Sequence, residues 1–582
     1  MTMHEPHGFL RRYVFSTDHK VIGIQYILTG LVMGLFGAAL AVLIRLQLGW
    51  PTVPKTLLGE WLPNGMPGGI MTPEFYLAVV TMHGSIMVFF FISYVLVSGF
   101  GNYLVPLQIG AKDMAFPFLN MLSYWIALLS AVVMLLSFLV EGGAAAAGWT
   151  AYPPLSAVPS AVPGSAAGQS VWLLSMALFI ASFTMSGLNI VATVFSLRAP
   201  GMSMMRLPLT VWSYFIASIL GVLAFPPLTA AAIMLLFDRH LGTSFFLPAG
   251  LVFGDIVLPH QGGSPLLWQH LFWFLGHPEV YVLILPALGI AADILPVFTR
   301  KPPFGYRGSV YALIAVGALS MIVWGHHMFV SGMSPFTGEY FSLATLLITI
   351  PMAIYGVNML GSVWGGAIRL RSPMVWALGV IALFGSGGFG GIYLGNATAD
   401  MQLHDTYFVV GHFHLMIGGV TLFGMFAGIY YWFPKMFGRC MHEGLGKAHF
   451  WATFIPFFMV FFAQHFQGLQ GMPRRYYAFE TYEFLREAAA QNGLISILAL
   501  TLIAGQLIFL GNFLWSLVRG RVASEDPWQA NTLEWTVPSP PPHGNFAMPP
   551  TVSRWPYDYS VDGVAEDYVP QTVTAAEVAV TV

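Results

Sequence analysis

Residues 406–433 read TYFVVGHFHLMIGGVTLFGMFAGIYYWF, a run without Asp, Glu, Lys or Arg that nevertheless carries His412 and His414. A helix needs about 20 apolar residues to cross a bilayer, so this stretch is predicted to be a transmembrane helix. Successive helical residues turn by about 100°, which sends His412 and His414 about 200° apart. One metal cannot easily take both, so the pair points to two centres on opposite sides of a single helix.

The surrounding chain has the same character. Hydrophobic residues make up 57% of the 582 and charged residues only 8%, and 17 tryptophans are available for interfacial belts. Twelve apolar runs begin near Val21, Tyr76, Phe118, Val171, Leu209, Leu266, Val310, Phe341, Met374, Tyr407, Phe450 and Leu494. The expected fold is an all-α membrane bundle of twelve helices over residues 21–518, with residues 1–20 before it and a tail, 519–582, after it. Residues Met1 to Lys20 are polar and give no cleavable signal pattern.

Orientation follows from the basic residues. With the N-terminus in the cytoplasm, the inner loops collect Arg11, Arg12, Lys20, Lys112, Arg198, Arg206, Arg300, Lys301, Arg307, Arg369, Arg371, Lys435, Arg439, Lys447, Arg519 and Arg521. Few remain outside, as the positive-inside rule requires. The tail, with its Pro538–Pro542 stretch, is then expected to be cytoplasmic and mostly irregular, and Gly142 to Gln169 an outer loop. No internal repeat is evident, so an inverted-repeat transporter gains no support. A net charge of −2 argues against nucleic acid as a partner, and the sole cysteine, Cys440, excludes an intrachain disulfide and an all-thiolate metal site.

Four further histidines interrupt apolar runs: His83, His277, His326 and His327. Counting about 1.5 Å per residue from the expected helix ends puts all six in the outer half of the membrane. A single histidine in a span is more often a hydrogen-bonded core residue than a ligand; six at matched depth point to imidazole-held metals, of which copper, zinc and iron suit the donor set. His277 and Tyr281, four apart, share a helix face. Adjacent His326 and His327 can reach one metal only if it lies between their directions. Glu279 sits within a span, where an ionised carboxylate costs several kcal/mol, so a proton-relay role is favoured over a structural one. Asp113 falls in an inner loop, where an ordinary solvated acid is the default.

Taken together, Trp273-Phe-Leu-Gly-His277-Pro-Glu279-Val-Tyr281, Trp324-Gly-His326-His327, His404-Asp405-Thr-Tyr through His412-Phe-His414, and Gly471-Met-Pro-Arg474-Arg475-Tyr resemble subunit I of the haem-copper oxygen reductases. The likeness runs from Ser16-Thr-Asp-His-Lys20 to Leu533-Glu-Trp535 and Ser539-Pro-Pro-Pro542. Glu279 in its His-Pro-Glu-Val-Tyr segment marks the A-type branch.

The resemblance implies roles. His83 and His414 would be axial ligands of a low-spin haem, His412 the proximal ligand of a high-spin haem, and His277, His326 and His327 the copper ligands facing it. Tyr281 would be the tyrosine cross-linked to the first copper histidine, donating an electron and a proton as the O–O bond breaks. Arg474 and Arg475 would bind haem propionates, Arg45 would lie near the low-spin haem's formyl group, and Trp273 would pack beside copper. His404 and Asp405 would hold magnesium with a partner subunit. Asp113, Asn102 and Asn120 would open a proton pathway to Glu279. Two haems, expected to be haem A, copper and magnesium are the implied cofactors. The implied partners are a subunit II with a dinuclear copper centre, subunit III, small accessory subunits, cytochrome c, O₂ and membrane lipid. The implied activity is reduction of O₂ to water with proton pumping, in the inner membrane of a bacterium.

One departure stands out. The family's second proton pathway carries a lysine on the eighth helix, where this chain has Tyr355; Met352 replaces a threonine and Ala292 a serine, while Thr345 is kept. Either Tyr355 and Asn358 form a substitute path or all protons use the Asp113 route. Quinol-oxidising relatives carry a polar cluster on the first two helices, where this chain has Phe36, Leu40, Phe75 and Ala78, which favours a cytochrome c donor over quinol. A nitric oxide reductase would lack Tyr281 and would bring glutamates to a non-haem iron.

Overall fold

The computed structural model describes residues 8–161, 166–253, 255–260, 262–479, 481–574 and 576–577. Its helices in chain order are α1 (His19–Gly49), α2 (Pro73–Ile109), α3 (Pro117–Leu136), α4 (Ala167–Ser196), α5 (Leu209–His240) and α6 (Pro265–Thr299). The second half adds α7 (Tyr306–Ser320), α8 (Pro335–Val363), α9 (Ser372–Gly395), α10 (Tyr407–Phe437), α11 (Glu443–Leu469) and α12 (Glu483–Arg519). Among the described residues, eleven of these are long and apolar enough to span a bilayer. The exception, α7, has 15 residues, or about 22 Å at 1.5 Å per residue.

Local chemistry sets many of the boundaries. Helices α2, α3, α6 and α8 each begin at a proline, whose missing N–H costs nothing in a first turn. Thr72 and Ser334 cap two of them, accepting from the amides of Phe75 (3.2 Å) and Thr337 (3.3 Å). Gly110 (φ 77°) and Gly438 (φ 68°) close α2 and α10 in the left-handed region that only glycine enters freely. The outer segment expected to extend to Gln169 is shorter, because α4 already begins at Ala167.

Helix α6 is the most enclosed and packs against α5, α9 and α10. Helix α1 lies along α2 and α12, and α3, α4 and α5 form a consecutive row. Wide π-helical turns interrupt α2 at Ile86–Gly99 and α10 at His414–Val420, next to His83 and at His414 respectively. Such turns carry an extra residue per turn and recur at functional positions.

Between α12 and residue 574 the chain is irregular apart from one short turn, Leu533–Thr536, yet it is closely packed. It crosses the end of the bundle where α1 begins. Arg300 donates to the carbonyls of Gln529 (2.7 Å) and Trp528 (2.6 Å), and the amide of Val552 donates to the carbonyl of Pro200 (2.8 Å). The Tyr557 hydroxyl donates to the buried Asp293 carboxylate.

Candidate active site

A cavity of about 1460 Å³ runs through the bundle, larger than the roughly 300–1,000 Å³ of an ordinary single-ligand pocket. All six intramembrane histidines line it, together with Glu279, Tyr281, Trp273, Arg45, Arg474, Arg475, His404 and Asp405. The convergence expected from matched depth is therefore present.

Three of the imidazoles are prepared in the same way. Nδ1 of His83, His412 and His414 lies 2.9 Å from the carbonyl oxygens of Gly37, Gly387 and Val410 respectively. A carbonyl can only accept, so each proton sits on Nδ1 and each Nε2 keeps its lone pair, the state a metal ligand needs. Glycines clear the space beside them: a Cβ at Gly390 would come within 3.0 Å of His412 Nδ1, and one at Gly391 within 3.2 Å of its Cε1.

The other three imidazoles form a cluster. Ligand nitrogens of His277, His326 and His327 all lie within 4.8 Å of one another. His326 Nε2 and His327 Nε2 are 3.1 Å apart, and His277 Nδ1 is 3.3 Å from His327 Nε2. His326 and His327 do not ride on the end of a helix, as their apolar run suggested. They occupy a separate tight turn, Trp324–Met328, beyond α7, which lets two adjacent rings turn to one side. Trp273 stacks on His327 with ring centres 3.7 Å apart and planes 7° from parallel, and its Nε1 donates to the Tyr152 hydroxyl. Thr345 Oγ1 donates to the Phe341 carbonyl (2.6 Å) and so accepts from His326 Nδ1 (2.9 Å). Tyr281 sits with its ring centre 4.8 Å from that of His277, whose Nε2 is buried without a hydrogen-bond partner among the described residues.

Charge is distributed unevenly around the cavity. Arg474 pairs with Asp405 (2.5 Å), whose carboxyl it holds below the usual range against the opposing effect of burial. Arg475 makes no ion pair or hydrogen bond among the described residues; burial, then the neighbouring Arg474, pushes it down to about 10. A buried guanidinium without an anion is costly, and a carboxylate-bearing ligand would offset it. Arg45 likewise lacks a carboxylate, bonding instead to Ser496 Oγ (3.0 Å) and Asn492 Oδ1 (3.1 Å). His404 Nε2 is 3.8 Å from Asp405 Oδ2. Its Nδ1 is 3.3 Å from buried Asp400, an acid that sequence reasoning missed although it stands four residues before His404.

Glu279 is buried with the Ser93 hydroxyl beside its carboxyl group, and both amide atoms of Asn120 and Oδ1 of Asn102 are buried without hydrogen-bond partners among the described residues. Buried polar groups of this kind are commonly served by ordered water. Burial and the nearby Asp18 carboxylate raise Asp113 to about 7. A ladder of hydroxyls joins α1, α3 and α4. Tyr26 donates to Ser123 (3.2 Å) and meets Ser182 (3.3 Å); Ser182 donates to the Ser123 carbonyl (2.7 Å), and Ser130 meets Ser175 (3.3 Å). Their signal was present in the chain: Ser123 and Ser130, like Ser175 and Ser182, are seven apart and share a helix face.

The substitute path divides. Tyr355's hydroxyl is buried and without a hydrogen-bond partner among the described residues, whereas Asn358 donates to the Gly305 carbonyl (3.1 Å) and Ser309 (3.0 Å), tying α8 to the start of α7. Thr345 belongs with the His326 cluster.

Comparison with known proteins agrees with this geometry. Residues 21–507 match the family described as Cytochrome C and Quinol oxidase polypeptide I. The chain is 47% identical to the alternative cytochrome c oxidase subunit 1 of Bradyrhizobium diazoefficiens over 98% of its own length and 94% of that protein's. It is 41% identical to cytochrome c oxidase subunit 1 of Cereibacter sphaeroides, covering 95% and 97% of the two chains. A solved haem-copper terminal oxidase dimer has a similar fold, with a TM-score of 0.69 at 22% identity, covering 87% of this chain and 85% of that one. The chain belongs to the Cytochrome C and Quinol oxidase polypeptide I family, whose members carry haems and copper.

Proposed function

We propose that the chain is the catalytic subunit of a terminal oxidase that reduces O₂ to water with electrons from cytochrome c, delivered through a copper-bearing subunit II, and that it pumps protons across a bacterial inner membrane. The observation that carries this reading is the three-imidazole cluster facing the cavity that also receives His412. The cluster contains no carboxylate, and Tyr281 lies against His277, both of which favour copper and oxygen over the iron of a nitric oxide reductase.

Bound haems and copper would relay the electrons and provide the oxygen-binding position. His83 and His414 would hold the low-spin haem, His412 the high-spin haem, and His277, His326 and His327 copper. Free Nε2 lone pairs on the first three support this assignment. Trp273 and Thr345 fix the rings of His327 and His326. The partnerless His277 Nε2 is the nitrogen that would carry the bond to Tyr281, which gives up a proton during turnover. Arg475 would neutralise a propionate, Arg474, which is already paired with Asp405, would donate to the second, and Arg45 would face the formyl group. Haem A fits the cavity's apolar arm along α1, which extends from Arg45 to Leu28, seventeen residues or about 25 Å, longer than a flat porphyrin reaches. His404 and Asp405 would hold magnesium, and the 59% exposure of the Asp405 side chain leaves room for a ligand from a partner subunit.

Asp113 collects protons from the cytoplasmic side, and Asn102, Asn120 and the serine ladder hold the water that carries them to Glu279. The start of α1 and the segment after α12 lie on that side. Quinol is disfavoured because Phe36, Leu40, Phe75 and Ala78 offer no polar side chain. Oxygen consumption by the purified complex tests the donor: oxidation of ferrocytochrome c without added quinol supports this reading, and oxidation of ubiquinol without cytochrome overturns it.

A further inference from the structure

The segment after α12 returns to the Asp113 loop. At Asn545 (φ 62°) the backbone enters the left-handed region, which asparagine tolerates in turns. Its side chain does more than a turn requires. His19 Nδ1 donates to the carbonyl of Asn102 at the inner end of α2 (2.7 Å), so His19 Nε2 is the acceptor and receives one Asn545 amide proton (2.8 Å). The other amide proton goes to the carbonyl of Ala111, two residues before Asp113 (2.8 Å), and the amide oxygen accepts from Lys20 Nζ (2.8 Å). Both amide protons are thereby used, and the side chain is fully buried. His543, two residues earlier, secures the same segment by donating from Nδ1 to Asp18 (2.9 Å).

We propose that Asn545 is a positioning residue of the proton entrance: its amide joins the start of α1, through His19 the end of α2, and the Ala111 loop, and so sets where Asp113 stands. The inference rests on the reading of Asp113 as that entrance. A carboxyl passes protons into a water chain only within hydrogen-bond reach of it, and a misplacement of about 1 Å can cost on the order of a hundredfold in a positioned step. Its own side chain makes the bonds to His19, Lys20 and Ala111.

Two substitutions in the full complex separate side chain from backbone. Asn545→Gly keeps the positive φ and removes the amide, whereas Asn545→Asp keeps the shape and removes both donors. In both, proton uptake during turnover, followed by a pH-indicator dye in stopped flow, is expected to slow by about tenfold or more. Reduction of the low-spin haem and the optical spectrum stay as in the unmodified complex. Asp113→Asn is the reference. If it blocks uptake while both Asn545 variants take up protons normally, or if the Gly variant alone is slow, the positioning role is refuted. If Asp113→Asn itself leaves uptake unchanged, the entrance reading fails instead. Loss of haem from both Asn545 variants also counts against the proposal, since the residue would then be serving assembly.

Discussion

Trp273 lies flat against His327, their ring centres 3.7 Å apart and their planes 7° from parallel, while its indole N–H is tied to the Tyr152 hydroxyl. One side chain thus fixes both the tilt and the height of a proposed copper ligand. Trp273→Leu removes the stacking surface and the tether together. Outer groups that orient metal ligands are worth roughly 10–100-fold in metal affinity. The variant is expected to lose copper to a chelator at correspondingly lower concentration, with haem content unchanged. Equal chelator resistance would mean that the stack is packing alone.

Thr345 offers a cleaner comparison on the neighbouring ligand. Thr345→Val deletes the acceptor of the His326 Nδ1 proton, and Thr345→Ser keeps it. Copper binding is expected to weaken about tenfold or more in the valine variant and to remain within about twofold in the serine variant. Copper analysis after matched dialysis decides the matter; equal retention in both variants contradicts an orienting role.

Asp113 gives a pH dependence whose sign follows from its surroundings. Burial raises its carboxyl from 3.8 to about 7, so folding favours the protonated form. That contribution is fully present below about pH 4 and is lost as pH rises through 7. Asp113→Asn, which stays neutral, is therefore expected to raise the thermal midpoint relative to the unmodified complex at pH 8 and to show no gain at pH 4. A gain independent of pH would indicate that the carboxyl is not held protonated by its site.

Tyr355 stands where a substitute proton path is expected, with its hydroxyl buried and unpartnered among the described residues. Tyr355→Phe is expected to slow reduction of the high-spin haem in the oxidised complex. An unchanged rate in stopped flow would leave the Asp113 route as the sole supply.

Much of the site was readable because its chemistry interrupts a uniform background. Six imidazoles in apolar runs are conspicuous, and the 200° separation of His412 and His414 needs only helix geometry. The serine ladder was harder, since serine is unremarkable in a span and its meaning arises only when antiparallel α3 and α4 bring Ser123 to Ser182 and Ser130 to Ser175. Asp400 and Asn545 were missed for a related reason: an acid near an outer loop and an amide in an irregular tail acquire their roles from tertiary contacts. The turn carrying His326 and His327 was hidden inside an apolar run, because hydropathy does not report where helical hydrogen bonding stops.

The central claim is that imidazoles from separate helices hold haem and copper at distinct positions in one cavity. The copper-to-haem ratio of the purified complex, measured beside that of His277→Ala, tests it most directly. The account predicts copper and haem together in the unmodified complex, and loss of copper with both haem absorptions retained in the variant. Copper absent from the unmodified complex, or undiminished in the variant, would contradict it.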